Sequence, residues 1–196
     1  MYDRITLLNY LITRYGYQKY LEIGCKGNEC FNQIKASNKT GVDPVSGGTV
    51  KKTSDAYFAS LDSNTRFDIV FIDGLHHCEQ VDRDIANSLK HLNPGGTIVL
   101  HDCKPTDEAV AAYPYQGSYN WTGDVWKAVV AWRRKPNVDV CVVDFDWGCG
   151  VLRVRPNTKP LKLEIPTLLT WKFYEENTRQ LLNLKTVPEF MDWLEE

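Results

Sequence analysis

The stretch Tyr20-Leu-Glu-Ile-Gly-Cys-Lys-Gly27, followed about twenty residues on by Gly41-Val-Asp-Pro44, decides the fold. It reads as a buried strand ending on a carboxylate, a glycine turn opening a helix, and a second strand ending on another carboxylate. In a parallel sheet these parts lay a nucleoside across the strand ends: glycine admits close backbone approach, and an acid accepts from the ribose hydroxyls. A dinucleotide site wants G-x-G-x-x-G, whereas the run here is Gly24-Cys-Lys-Gly27. Glu22, just before the turn, would also repel a phosphate. The pattern favours a ligand with ribose and base but no phosphate.

On either side of this stretch, strand and helix patterns alternate. Ile5, Leu8, Ile12 and Tyr15 recur at helical spacing and Gly16 is placed to end that helix. A strand over 19–23 precedes a predicted helix over 28–36, a strand over 40–42, a loop over 45–53 and a short helix over 54–61. Phe67-Asp-Ile-Val-Phe-Ile72 is the continuous apolar run of a strand covered on both faces. Val81, Ile85, Leu89 and Leu92 stripe the next helix, which Pro94-Gly-Gly96 ends before a strand over 97–100. A long segment, 103–122, leads to a helix marked by Val125, Val129 and Trp132. Strands over 138–144 and 149–155, joined through Asp146-Trp-Gly148, read as an antiparallel pair. The alternation predicts an α/β fold, a doubly wound, mostly parallel sheet in three layers, αβα. Residues 1–155 form the predicted domain, and 156–196 a helical tail packing on it, with helices near 168–182 and 188–195.

Composition narrows the function classes. The chain of 196 residues is 43% hydrophobic, enough for one sizeable core. Net charge is −2, with basic and acidic residues mixed, so no basic block suits a nucleic-acid partner. The six cysteines show no C-x-x-C spacing and read as reduced thiols, with structural zinc disfavoured. No signal-peptide plan or membrane-length apolar run is visible, which gives the expectation of a cytoplasmic protein without a membrane partner.

Glu22, Asp43, Asp73 and the pair His101-Asp102 all fall at carboxyl ends of predicted strands, where ligands of open parallel sheets bind. Singly, Asp43 or Asp73 would pass as a helix N-cap. Together they suggest a shared site, for which S-adenosylmethionine is the common phosphate-free cofactor. Gly24 is then expected beside the cofactor's methionine part, Glu22 to hold the turn and meet the ammonium, and Asp43 to accept from the ribose. Asp73 and Asp102, on adjacent strands, could instead converge on a divalent ion with His101, and the histidine would favour a softer ion than Mg²⁺. His101 or His76 could alternatively act as general base, and His76 could simply bond backbone at the turn. His77 and His91 read as surface residues. Tyr113, Tyr115, Tyr119 and Trp121, in the long 103–122 segment, suggest either a lid over an acceptor or packing against the tail. Trp171, Phe173 and Tyr174 read as core or oligomer contact, so a homo-oligomer is open.

The chain also resembles a class I S-adenosylmethionine-dependent methyltransferase over roughly residues 18 to 155. The family's I-D-G-x-H motif after its fourth strand and H-D pair after its fifth are matched here by Ile72-Asp73-Gly74-Leu75-His76 and His101-Asp102, similar to macrocin O-methyltransferases and cephalosporin hydroxylase-like proteins. The family's second turn glycine is replaced here by Cys25 or Lys26. The resemblance implies a seven-stranded sheet whose last strand is antiparallel, with Asp55 at the position that meets the adenine amino group. Asp55 could equally cap the helix over 56–61. Cofactor-binding candidates are therefore Glu22, Gly24, Asp43, Asp55 and Asp73. Catalytic candidates are His76, His101 and Asp102, and metal candidates are Asp73, His101 and Asp102, with Mg²⁺ as the family's ion. The implied reaction is O-methylation of a sugar or secondary metabolite. N-methylation without metal and a non-catalytic nucleoside-binding module are the alternatives.

Overall fold

In the computed structural model, residues 2–196 are described. Helix α1 (Arg4–Tyr15) opens on Asp3, whose carboxylate accepts from the Thr6 amide, and closes on Gly16 in the left-handed region at φ 66°. It leads into β1 (Lys19–Ile23) and β2 (Asn38–Val42). The helix expected over 28–36 is instead a single 3-10 turn, Phe31–Gln33. Lys26 and Asn28 both take positive φ, which a helix entry does not allow. The Asn28 side chain accepts from the Gly48 amide at 2.6 Å, tying this turn to the loop after β2.

The chain continues through α2 (Ser54–Ala59), β3 (Phe67–Ile72), α3 (Cys78–Lys90), β4 (Leu92–Leu100), α4 (Val125–Trp132), β5 (Asp139–Val143) and β6 (Cys149–Arg153). The tail adds α5 (Trp171–Leu182), β7 (Leu184–Lys185) and α6 (Val187–Glu195). Seven strands form one sheet in the order β2-β1-β3-β4-β6-β5-β7. β2, β1, β3 and β4 are parallel neighbours, and β6 runs antiparallel to both β4 and β5. The fold class is as the alternation predicts. The seventh strand, however, comes from the tail, where β7 pairs in parallel with β5. The 45–53 loop contributes only an isolated bridge, Val42 to Val50.

Alternation along the buried strands sorts side chains to two cores. Leu21, Val70, Ile72 and Ile98 face α3, α4 and α5 through Ile85, Val129 and Leu181. Tyr20, Ile69, Phe71 and Val99 face α1 and α6 through Leu8, Leu11 and Trp193. Both faces of the sheet are therefore covered, and ligand access is left to the strand ends. Tyr174, in the tail, is core: its ring packs on Trp126 at 4.6 Å and on Trp171 at 5.0 Å. All six cysteines are free, and no helix among the described residues is long and apolar enough to cross a membrane.

Candidate functional site

Beyond the carboxyl ends of β1, β2, β3 and β4 lies a cavity of ≈ 770 Å³, within the range of small-molecule sites. Its walls include Glu22, the Gly24–Gly27 turn, Asp43, Ser46, Ser54, Asp73, His76, Gln80, Asp84, His101 and Asp102. Four of the five proposed cofactor residues thus reach it. Asp55 does not. It sits in the first turn of α2 with its side chain 50% exposed and paired with Arg83 at 3.6 Å, while Thr53 caps the helix. Its neighbour Ser54 and the buried Asp84 face the cavity instead. Asp84 accepts from Gln80 Nε2 at 3.1 Å, and burial raises its carboxyl to about 6. Asp84 was hidden in the α3 stripe, one residue from Ile85. A polar residue on that buried face was the signal available.

Each acid at the turn has a local cause for its state. Asp43, 8% exposed, accepts four backbone N–H groups: Cys25 (3.0 Å) and Lys26 (2.9 Å) on Oδ2, Val45 (2.8 Å) and Ser46 (2.8 Å) on Oδ1. Burial opposes its charge, yet these amides lower its pKa below the ordinary value. Both oxygens are filled, so Asp43 is the group that holds the turn, a task expected of Glu22. Glu22 is 1% exposed and accepts from the Tyr20 hydroxyl. Burial pushes its carboxyl up to about 7, against the hydrogen bond from Tyr20. Gly24, at φ 87°, is required first by the protein: a Cβ there would lie 2.2 Å from the Asp73 carbonyl oxygen.

At the ends of β3 and β4 the polar groups converge. His76 Nδ1 lies 2.9 Å from the Trp121 carbonyl, which can only accept, so Nδ1 carries a proton. Nε2 then faces Asp102 at 3.2 Å and Asp73 at 3.5 Å. Burial would lower the His76 pKa, but hydrogen bonding and charge from these carboxylates raise it. His101 is more tightly held. Its Nδ1 lies 3.3 Å from both Asp73 and Asp102, and its Nε2 lies 3.4 Å from Asp146. Against the opposing effect of burial, the three carboxylates raise it to about 12. A carboxylate faces each ring nitrogen, which favours the charged form of His101. His101 also groups with Asp146 and Cys149, their ligand atoms lying within 4.8 Å of one another. Ligand atoms of Asp73, His76 and Asp102 do lie within 4.8 Å of one another. Asp102 itself takes φ 57°, a left-handed conformation uncommon for a non-glycine residue and frequent at functional sites.

Two participants had no local sequence signal. Asp146, at φ 46° in the β5–β6 turn, accepts from the Arg4 amide at 2.8 Å and from its guanidinium Nη1 at 3.1 Å. Arg4, opening α1, also lines the cavity. The two are 142 residues apart in sequence and meet because α1 and the hairpin flank the same sheet end.

The aromatic segment lies against this cluster. Trp121 stacks on His76 with centroids 5.2 Å apart, Tyr113 stacks on His77 at 3.8 Å, and Tyr115 meets Trp121 edge-on at 5.4 Å. These stacks place Tyr113, Tyr115 and Trp121 beside the site, while the start of the segment meets the tail, where the Tyr174 hydroxyl donates to the Pro105 carbonyl at 3.4 Å. His77 is accordingly half-buried, and His91 is buried, with Nδ1 3.0 Å from the Thr65 carbonyl; neither is the surface residue expected.

Comparison with known proteins agrees with this geometry. Residues 21–103 match a family described as a methyltransferase domain. No curated protein matches the sequence. Among solved structures, the chain is similar to the O-methyltransferase TomG from Streptomyces achromogenes, involved in tomaymycin synthesis and solved with S-adenosylmethionine (TM-score 0.56, 16% identity, 78% of this chain and 79% of that one). It is also similar to the S-adenosylhomocysteine-bound methyltransferase PaMTH1 of Podospora anserina (0.58, 13%, 78% of each). An O-methyltransferase from Bacillus cereus in complex with S-adenosylhomocysteine aligns at 0.52, 15% identity, 76% of this chain and 78% of that one. The matched segment contains the glycine turn, the strand-end acids Glu22, Asp43 and Asp73 and the His101-Asp102 pair, so over these residues, which form most of the cavity wall, the chain is similar to a methyltransferase domain.

Proposed function

We propose that this protein transfers a methyl group to a hydroxyl of a small molecule, a sugar or a secondary metabolite, bound beside Asp73, His76 and Asp102. The observation that carries the reading is this trio, converging within 4.8 Å on the wall of the cavity that the glycine turn also lines. S-adenosylmethionine, when bound, supplies an electrophilic methyl group. In that cavity Glu22 would face its ammonium, the backbone of the turn and of residues 44–46 its ribose, and Ser54, Gln80 and Asp84 its adenine. Asp84 is buried with its carboxyl raised to about 6, and can accept from a purine edge or, when protonated, donate to it.

A hydroxyl acceptor must lose its proton as the methyl group arrives. Two carboxylates and an imidazole at one point can take that proton, or can hold a divalent ion that makes the hydroxyl more acidic. The metal reading is supported by His76: its Nδ1–H is anchored on a backbone carbonyl while Nε2 points between two acids, the outer contact that orients a ligating histidine. His101 would then orient Asp73 and Asp102 without being a ligand. Calorimetric titration with S-adenosylhomocysteine, with and without chelator, tests the scheme. Nucleoside binding is expected in both conditions, with turnover lost in chelator and restored by Mg²⁺ or Mn²⁺. No heat at millimolar nucleoside on folded protein would refute the cofactor site; chelator-insensitive turnover would refute the metal.

A further inference from the structure

Arg4 lies outside the segment that matches the methyltransferase family, yet it lines the same cavity as Glu22 and Asp73. We propose that the free edge of its guanidinium is a carboxylate-binding subsite whose ligand is the α-carboxylate of the cofactor's amino-acid part. The guanidinium is anchored on one side only. Nη1 donates to both oxygens of Asp146, at 3.2 and 3.1 Å, and lies 3.5 Å from His101 Nε2. Among the described residues, neither Nε nor Nη2 has a hydrogen bond, and Nε is buried without a partner. Asp73 Oδ2, 3.9 Å from Nε, is too distant to satisfy it.

A buried N–H without an acceptor is destabilising and rare, and such groups are ordinarily completed by a ligand or water. The Nε and Nη2 donors form the planar fork that matches a carboxylate bidentately. Charge points the same way. Glu22 and Asp73 would repel a lone carboxylate, but an α-amino acid brings an ammonium for Glu22 beside a carboxylate for Arg4. A neutral hydroxyl acceptor has no use for this pairing. Asp146, in its left-handed turn, fixes the guanidinium plane before ligand arrives.

The inference rests on the cofactor reading, and one comparison separates the two. S-adenosylhomocysteine carries the amino-acid group, whereas 5′-methylthioadenosine keeps adenine, ribose and thioether without it. For Arg4→Gln, affinity for S-adenosylhomocysteine is expected to fall about 10- to 100-fold while that for methylthioadenosine stays within about twofold, the loss of a charge-assisted bidentate pair. Unchanged methylthioadenosine binding also certifies that the variant is folded. Arg4→Lys, which keeps the charge and can still reach Asp146, should lie between wild type and Arg4→Gln and serves if Arg4→Gln does not fold. Equal losses for both nucleosides, or an undiminished affinity for S-adenosylhomocysteine, overturn the subsite. If wild-type protein binds neither, the cofactor reading itself fails.

Discussion

Replacing Asp43 separates two roles for a strand-end acid. If Asp43 holds the turn, Asp43→Ala strips acceptors from four amides at once. A hydrogen bond to a charged group contributes about 1.5–3 kcal/mol, and stranding one buried donor costs about 1–3 kcal/mol. Of the four amides, Cys25 N lies in a buried bond, whereas Lys26, Val45 and Ser46 are partly open and regain water. One full loss plus three discounted ones gives about 2–4 kcal/mol. For a chain of this length that is a fall of roughly 5–15 °C in Tm. Asp43→Asn should cost nearly as much, because its amide would oppose two N–H donors. The deficit should shrink in acid: the folded pKa is depressed, so the stabilisation exists above the unfolded carboxylate pKa and fades as pH falls through the folded one. Urea unfolding of ligand-free protein measures it. Stability unchanged to within about 0.5 kcal/mol, together with lost nucleoside affinity, would refute the reasoning and restore Asp43 as a direct ribose ligand.

Glu22, held near 7 by burial beside Tyr20, Cys30 and Asp73, gives the opposite slope. Its folded pKa lies above the unfolded 4.5, so its contribution is complete below about 4.5 and is lost as pH rises through 7. Glu22→Gln should therefore remove up to about 3 kcal/mol of pH-dependent stability across that window. Affinity for S-adenosylhomocysteine should rise with pH through 7 in wild type only, and equal pH profiles for the two proteins would count against Glu22 as the ammonium's partner. In the aromatic segment, Tyr119 is 98% exposed and Tyr115 57%. Chymotrypsin should cut there in free protein and be slowed by cofactor plus acceptor, whereas equal rates would argue for a fixed wall rather than a lid.

Much of this fold was legible because its signals are local. Phe67 to Ile72 is apolar throughout, Gly16 ends α1, and the acids follow strands at the positions that alternation implies. What failed to read did so for physical reasons. The 28–36 helix lost to side-chain chemistry at Asn28, which bonds Gly48 across the loop. Asp55 occupies a favourable first-turn position and looks like a ligand, but that face of α2 is open to solvent. Arg4 and Asp146 look like a capping-region cation and a hairpin acid, and become a site only when the sheet brings their elements together.

The strand-end acids show where inference from a sequence of this kind stops. That Glu22, Asp43, Asp73 and Asp102 gather at one rim follows from the direction of the parallel strands and needs no coordinates. What each then does depends on which donors are aimed at it. Asp43 meets four amides that favour its charged form, while Glu22, three residues before Cys25, accepts from the buried Tyr20 hydroxyl and is raised by burial to about 7. Holding the turn falls to Asp43 rather than Glu22, and the cause is the path of the 24–28 turn. Lys26 points its amide at Asp43 from a left-handed conformation. Strand direction gathers the acids, and the donors supplied by the intervening turns decide their charge states.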